Sequence, residues 1–422
     1  MKKVLVLFPN DWDKVEFSKE KYKQDYTFIY EGPNLFKFPH LFQLPFFSTQ
    51  RFIERITKKV QLEKIDAVLS SDEYIGAIIA AVVSQQLGLA GSDPTKIILA
   101  QHKYYSRLEQ QEHCKEASVQ CELIPQKIPN DFKPKLSFPF FVKPVKGTFS
   151  LFAKKVNTPI DLKKHMAFSW YERILLNIIT RPFNHLIRDY TQLEKKANYF
   201  ISEELIDGVQ VTLDGYSLNN EVTICGVVDS VMFPGTNIFE RFQYPSRLPA
   251  EVQQRMETIV VNLIQGADFK NAQFNVELFY NQETDKIHII EINPRLSYQF
   301  GDLYENVDGI NTYQILLDLA LGNKPRFKKG NGEFTQTASF VLRTFEGKEL
   351  RAVPDEKHIA DFNRRYHESN IKVYGKKGTK LSGEMRAIGS YRYGIVNVGA
   401  HSLLDLFSIY EDVLDSLPFS FK

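Results

Sequence analysis

Cysteine is scarce in this chain: Cys114, Cys121 and Cys225 are the only three in 422 residues. An odd number without metal-ligand spacing argues against a disulfide framework or a thiolate zinc centre and fits free thiols in a reducing compartment. Charge of one sign is equally sparse. The 53 Lys and Arg against 51 Asp and Glu leave +2, which supplies no general attraction to nucleic acid or to a membrane surface. No apolar run approaches the roughly 18 residues that a membrane-spanning helix needs. Met1-Lys-Lys-Val-Leu-Val-Leu-Phe8 opens like a signal peptide, but Pro9 ends the run and Asp11, Asp13 and Glu16 follow, so a secretory leader is not expected. Gly-x-Gly-x-x-Gly is missing, which removes the usual dinucleotide fingerprint, and there is neither an internal repeat nor a low-complexity tract. What is present, 43% hydrophobic and 25% charged residues, is the composition of a globular protein. The length suggests two or three domains, and a cytoplasmic location is expected.

The segment from Phe274 to Arg295 carries the chemistry. It reads as two short apolar strands joined by a polar turn at Asn281 to Asp285, a hairpin signal. With the turn centred near Thr284, Glu277 faces Glu291 and Asn275 faces Asn293. Glu291 and Asn293 are two residues apart and project from one face of their strand. Two carboxylates and an amide oxygen then meet among Ile, Val, Leu and Phe. Carboxylates so placed repel each other and lose hydration, so a cation must offset them or one must take a proton. The donors are hard oxygens with no Cys or His, which favours Mg²⁺, with Mn²⁺ as a substitute, over zinc. Mg²⁺ held in this way completes its shell with water and substrate phosphates, which points to a nucleotide. Pro294 has no donor and ends the ladder. Arg295 is left at the strand exit, where its planar fork suits phosphate oxygens. A solvated acidic face is the bland alternative; the apolar residues flanking both acids weigh against it.

A second signal lies at Phe140-Phe-Val-Lys143-Pro-Val-Lys-Gly147-Thr148-Phe-Ser150. An apolar strand ends in a lysine able to reach phosphates as a point charge, and Gly147, Thr148 and Ser150 offer backbone and hydroxyl donors to a γ-phosphate. Taken alone, this pattern is more often a surface turn.

Glu277 followed by Glu291-Ile-Asn293-Pro-Arg295 resembles the metal-binding signature of the ATP-grasp superfamily. The nearest likeness is to its carboxylate–amine ligase branch, which includes L-amino-acid ligases and carnosine synthase and is related to biotin carboxylase. The likeness extends over almost the whole chain and is most specific in this C-terminal motif. It implies a fold mixing α/β and α+β: a Rossmann-like pre-ATP-grasp domain over residues 1–100, an ATP-grasp domain over 101–330 with a lid subdomain at about 136–210, and a small C-terminal α+β domain over 331–422. The resemblance makes Lys143 the second ATP-binding lysine and the Gly147 to Ser150 turn the mobile phosphate loop, though Phe149, Leu151 and Phe152 stand where relatives carry more glycine. Lys103, in Gln101-His-Lys103-Tyr-Tyr-Ser-Arg107, matches the lysine that contacts the α-phosphate, with Arg107 as a weaker candidate. Ile201 to Gln210 is similar to the adenine and ribose segment. Carried over, Glu203 takes the adenine amine, the backbone at Glu204 and Ile206 reads the ring edge, and Gln210, where relatives often have Glu, meets the ribose. The loop Gly235 to Ser246 would face the substrates, with Glu240 for an ammonium group or the metal and Arg241 for a carboxylate; a surface ion pair is the competing reading. Asp66 to Glu73 resembles the pre-ATP-grasp segment whose strand-end acid faces the substrate.

The expected cofactors are therefore ATP and Mg²⁺, the expected partners a small-molecule carboxylate and amine, and the expected catalytic groups Arg295, Lys143, Glu240 and Arg241. Related enzymes are often dimers. Activation of bicarbonate or of another acceptor, or nucleotide sensing without turnover, stay open at this stage. Elsewhere, Ala67 to Ser70 reads as a strand and Tyr74 to Leu87 as a helix stopped by Gly88. The aromatic Phe36 to Phe47 reads as a packed loop, and the greasy helix-spaced segment His165 to Glu194 reads as broken at Pro182, with lid packing favoured over a partner interface.

Overall fold

The computed structural model describes residues 1–35, 40–129, 131–147, 152–381 and 390–422. Thr148 and Ser150 lie outside the described residues, as do positions 36–39 of the aromatic loop.

The strand Lys2–Leu7, apolar from Val4 onward, forms the middle of a small parallel sheet, flanked by Tyr26–Glu31 and Ala67–Leu69. Its four C-terminal residues are wholly buried, as expected for a parallel strand covered on both faces. Helix Gly76–Leu87 follows and ends at Gly88, whose φ of +65° is the left-handed stop that glycine takes readily. A four-stranded antiparallel sheet, ordered Cys121–Ile124, Phe200–Glu204, Phe140–Pro144, Lys154–Val156, forms a second layer.

The largest sheet has eight antiparallel strands. The hairpin strands Lys286–Asn293 and Ala272–Asn281 lie at one edge, followed by Val209–Leu218, Glu221–Met232 and Phe239–Tyr244. Gln336–Thr344, Tyr391–Ala400 and Asn370–Val373 complete it. The strands beyond residue 331 therefore hydrogen-bond directly into the sheet that carries the hairpin. Helix Ala250–Gly266 packs its apolar stripe, including Val252, Met256 and Val260, into the main core shared with Leu213 and Val276. Helix Leu403–Ser416 covers the far strands through Phe340 and Val396.

Two expectations are corrected by the fold. The stretch 235–246 is not a free loop, because Phe239–Tyr244 is a strand paired on both sides. Helix Trp170–Tyr190 also runs through Pro182 without stopping. Burial of Leu176, Ile179, Phe183, Leu186 and Ile187 on one face outweighs the hydrogen bond that proline removes. Trp170 and Tyr171, at its start, are exposed, and so are Phe42 and Phe46 in the 3₁₀ turn His40–Phe46, whereas Leu44 is buried and Phe47 packs against Phe8 and Phe52. All three cysteines are free thiols. Among the described residues no helix is long and apolar enough to cross a membrane.

Candidate active site

The hairpin sets the register of the site. Asn275 pairs with Asn293 and Glu277 with Glu291; a bulge then shifts the ladder by one, so that Leu278 pairs with Ile289. Arg107 is the reason this bulge can be buried. Its guanidinium donates to Ile289 O (2.6 Å) and Ile290 O (2.7 Å), the carbonyls that the irregularity exposes. The same side chain donates to Glu203 Oε1 (2.8 Å) and Gln110 Oε1 (2.5 Å) and is only 2% exposed. Four of the five N–H donors of Arg107 are thus committed, two of them to the hairpin, so its main work here is to hold the hairpin and Glu203 in place.

Glu203 links Arg107 to Lys143, whose Nζ lies 2.7 Å from Glu203 Oε2. Burial works to raise this carboxyl, but the two cations beside it win and bring it down to about 2. The pairing fixes Lys143 at the strand end, where burial lowers its own affinity for a proton. Lys103, the first residue of its helix after the N-cap His102, lies 3.2 Å from Glu291 Oε2. That contact, the largest influence on Glu291, holds its carboxyl down near 2.

Glu277 behaves in the opposite way. Its Oε2 accepts from Gln210 Nε2 (3.0 Å) and its Oε1 from Asn293 Nδ2 (3.3 Å). Burial first, and then the negative Glu291, push its carboxyl up to about 8. Asn293 Nδ2 also reaches Asn275 Oδ1 (3.3 Å), so the amide nitrogen is committed inward and Oδ1 is the atom left to act as a ligand. Behind it, buried Asp214 accepts from Asn275 (2.9 Å) and Tyr304 (3.0 Å). Two acids that tend to share one proton, with an amide oxygen beside them and no sulfur or imidazole in the set, suit a hard divalent cation.

A cleft of about 390 Å³, open mouth included, is lined by Glu73, Lys103, Lys146, Glu203, Glu291 and Asn293 among others. Arg295 enters from the hairpin exit and grips Glu73 through Nε (3.0 Å) and Nη2 (2.6 Å). Lys146 is almost fully buried. It donates to Gln101 Oε1 (2.6 Å) and Glu73 O (3.1 Å), and burial lowers it to about 8. Around the cleft stand five cationic side chains (Lys103, Arg107, Lys143, Lys146, Arg295) and four carboxylates, one of them inclined to hold a proton. That small positive excess suits a polyanion arriving with a metal ion.

Residues 136–303 match the family described as ATP-grasp domain. These residues form an ATP-grasp domain. No curated protein matches the chain by sequence. Among solved structures, the L-amino acid ligase from Bacillus licheniformis is similar with a TM-score of 0.77 at 16% identity, over 100% of this chain and 99% of that one. Biotin carboxylase from Campylobacter jejuni, in a β,γ-ATP complex, gives 0.69 at 12% over 100% and 92%. N5-carboxyaminoimidazole ribonucleotide synthetase from Thermotoga maritima gives 0.65 at 14% over 100% of both chains. At these identities the likeness establishes the shared fold.

Within the ATP-grasp domain, the structure brings together Lys143, Glu203, Gln210, Glu277, Glu291, Asn293 and Arg295, and Lys103 joins them from the helix that precedes it. Gly147 lines the cleft. Gln210 reaches Glu277 rather than standing clear for a sugar. Glu204 lies at the strand exit, its N–H donating to Gln120 O (3.1 Å) and its carboxylate accepting from Gln120 N–H (2.8 Å); Ile206 follows in the connection to the next strand. Gly208 is forced there, at φ +132°, because a Cβ would come within 2.3 Å of Tyr280 O.

Glu240 and Arg241 are a correction. Glu277 pairs with Thr212, Thr212 with Val228, and Ser230 with Phe242, so Phe242 shares the face of Glu277 and its neighbour Arg241 takes the other. Arg241 pairs with Glu240 (2.8 Å) and lies over the Phe407 ring at 4.9 Å, beneath helix Leu403–Ser416. The structural ion pair, not a substrate clamp, is what the geometry gives. Sequence reasoning missed Lys146, although a second lysine just before Gly147 was the available signal, and Asp214, which carries no local signal.

Proposed function

We propose that this chain is a Mg²⁺- and ATP-dependent carboxylate–amine ligase joining small molecules such as amino acids. The observation that carries the reading is the opposition of Glu277 and Glu291, with Asn293 beside them, at the edge of a cleft fringed by Lys103, Lys143, Lys146 and Arg295. Similarity along the whole length to an L-amino acid ligase supports the choice of acceptor. Glu277, Glu291 and Asn293 would hold the metal, which supplies charge neutralisation at the phosphate oxygens.

A carboxylate resists attack by an amine because its carbonyl is a poor electrophile. Transfer of the γ-phosphoryl to a carboxylate oxygen breaks the bond to the β-phosphate oxygen and releases ADP. The amine nitrogen then bonds to the acyl carbon, the carbon–oxygen bond to phosphate breaks, and phosphate and a proton leave. Lys103 and Lys143 spread the charge of phosphoryl transfer, and Arg295, oriented by Glu73, meets the carboxylate end. Glu203 keeps Lys143 in place. Glu291→Gln should lower amino-acid-dependent ADP release by about a thousandfold while leaving the fold intact by circular dichroism. Full activity of that variant would refute the assignment. ADP release measured over a panel of amino-acid pairs, and with bicarbonate, separates amide formation from bicarbonate activation; no release with any acceptor would leave a nucleotide sensor.

A further inference from the structure

A second cavity lies on the other side of the Pro294–Arg295 turn, and the ligase chemistry has no use for it. It measures about 520 Å³ with its open mouth included, larger than the nucleotide cleft. Helix Gly76–Leu87 supplies one wall through Ala77, Ala80 and Ala81, which share a face by their three- and four-residue spacing. Methyl groups there leave open a space that longer side chains would close. Helix Thr312–Ala320 supplies the facing wall with Leu316 and Leu319.

Three polar atoms on these walls have no hydrogen-bond partner among the described residues: Ser84 Oγ, Ser92 Oγ and Gln273 Oε1. Ser84 is 1% exposed and Gln273 5%, so bulk water does not serve them. The Gln273 amide nitrogen is committed to Thr312 O at 2.9 Å, which fixes the side chain and leaves Oε1 as an acceptor awaiting a donor. Buried polar atoms are nearly always paired, and a serine hydroxyl can either give or accept. Among the described residues Arg295 is the one charged side chain lining the cavity, and its guanidinium is turned away to Glu73, which lines the other cleft. Nothing there would balance an ion, while the aliphatic walls favour carbon.

We propose that this cavity is a second small-molecule site, taking a neutral aliphatic molecule of a few carbons that bears a hydrogen-bond donor, as a primary amide or alcohol does. The donor would satisfy Gln273 Oε1, and the oxygen of the same group would accept from Ser84 or Ser92. The assignment stands on the cavity alone and does not depend on the ligase reading.

Isobutyramide and 2-methylpropan-1-ol are suitable probes, with isobutyrate as the charged control. On the full chain, saturation-transfer NMR and soaked crystals should show the two neutral probes in the cavity with Kd values in the millimolar range, about what so few atoms can supply. Isobutyrate should bind at least about tenfold more weakly. Ala80→Leu, or Ala77→Val should the first variant fail to fold, fills the space and should abolish probe binding while leaving ATP affinity unchanged. Gln273→Leu should erase the preference for isobutyramide over isobutane-like apolar fragments. Ordered water only in the soaked crystals, isobutyrate binding as tightly as the amide, or probe binding that survives both filling variants would overturn the proposal.

Discussion

Glu16, Asp302 and Glu305 bring carboxylate oxygens within 4.8 Å of one another, and on closeness alone they rival Glu277 and Glu291 as a place for a cation. Their surroundings differ. Lys19 Nζ lies 2.6 Å from Glu16, 3.3 Å from Glu305 and 3.9 Å from Asp302, and Lys21 Nζ lies 2.9 Å from Glu16 and 2.5 Å from Glu305. Burial works against ionised Glu305, yet these lysines hold its carboxyl below the usual range. Glu277, by contrast, receives only amide donors among the described residues and is driven upward. A cation site is thus marked by the charge left unbalanced rather than by how near the acids stand. In the first group the protein has supplied cations to all three acids as side chains; in the second Lys103 answers Glu291, and Glu277 is left to a ligand.

The comparison can be broken in several ways. Arg107→Ala strips both bulge carbonyls of their partner and leaves buried Glu203 with Lys143 alone, so it should destabilise the fold by about 3–5 kcal/mol, read from urea unfolding. A loss under 1 kcal/mol would show that the second group does not depend on that guanidinium. Glu277→Gln should weaken Mg²⁺-dependent nucleotide binding by about a hundredfold, as measured by calorimetry, whereas Glu305→Gln should leave it untouched. Equal effects would dissolve the distinction between the two groups. Removing the built-in cations with Lys19→Ala and Lys21→Ala together should convert Glu16, Asp302 and Glu305 into a cation site. Added Mg²⁺ or Ca²⁺ should then raise the melting temperature by about 2–4 °C, a shift at this locus that the parent protein lacks. The smallest effect concerns pH. Burial raises Asp214 from 3.8 to about 6, so the folded state holds a proton over that interval which the unfolded chain has released. Its contribution to stability is complete below the lower value and is lost as pH rises through the upper one. Asp214→Asn should flatten the stability profile between those limits; an unchanged slope would place the titration elsewhere.

The hairpin was legible because both of its determinants are local. Alternation of apolar residues and a polar turn place the two strands side by side, but Glu277 meets Glu291 and Asn275 meets Asn293 only because a bulge shifts by one the ladder that leaves the turn with Asn281 opposite Lys286. The extra residue near Ile290 was not legible, since it is tolerated only because Arg107, far away in sequence, accommodates its carbonyls. Phe239–Tyr244 looked like a loop because it is bounded by Gly235 and Pro245, and its status as a strand comes from partners about ten and about a hundred residues distant. That error carried Glu240 and Arg241 to the wrong side of the sheet. Pro182 misled for a related reason: its cost is local, while the packing that outweighs it is not. Lys146 was overlooked because its importance lies in Gln101 and the Glu73 carbonyl, which no short motif encodes.

The edge-to-edge continuity of the large sheet has a practical corollary. Gln336–Thr344 is the neighbour that satisfies the outer backbone groups of Phe239–Tyr244. A chain shortened before that point would keep every acid and lysine of the cleft, yet it would bare a row of unmatched amides and carbonyls in its middle. Such a rim recruits strands from other molecules, so the trimmed protein should clump rather than yield a smaller working enzyme.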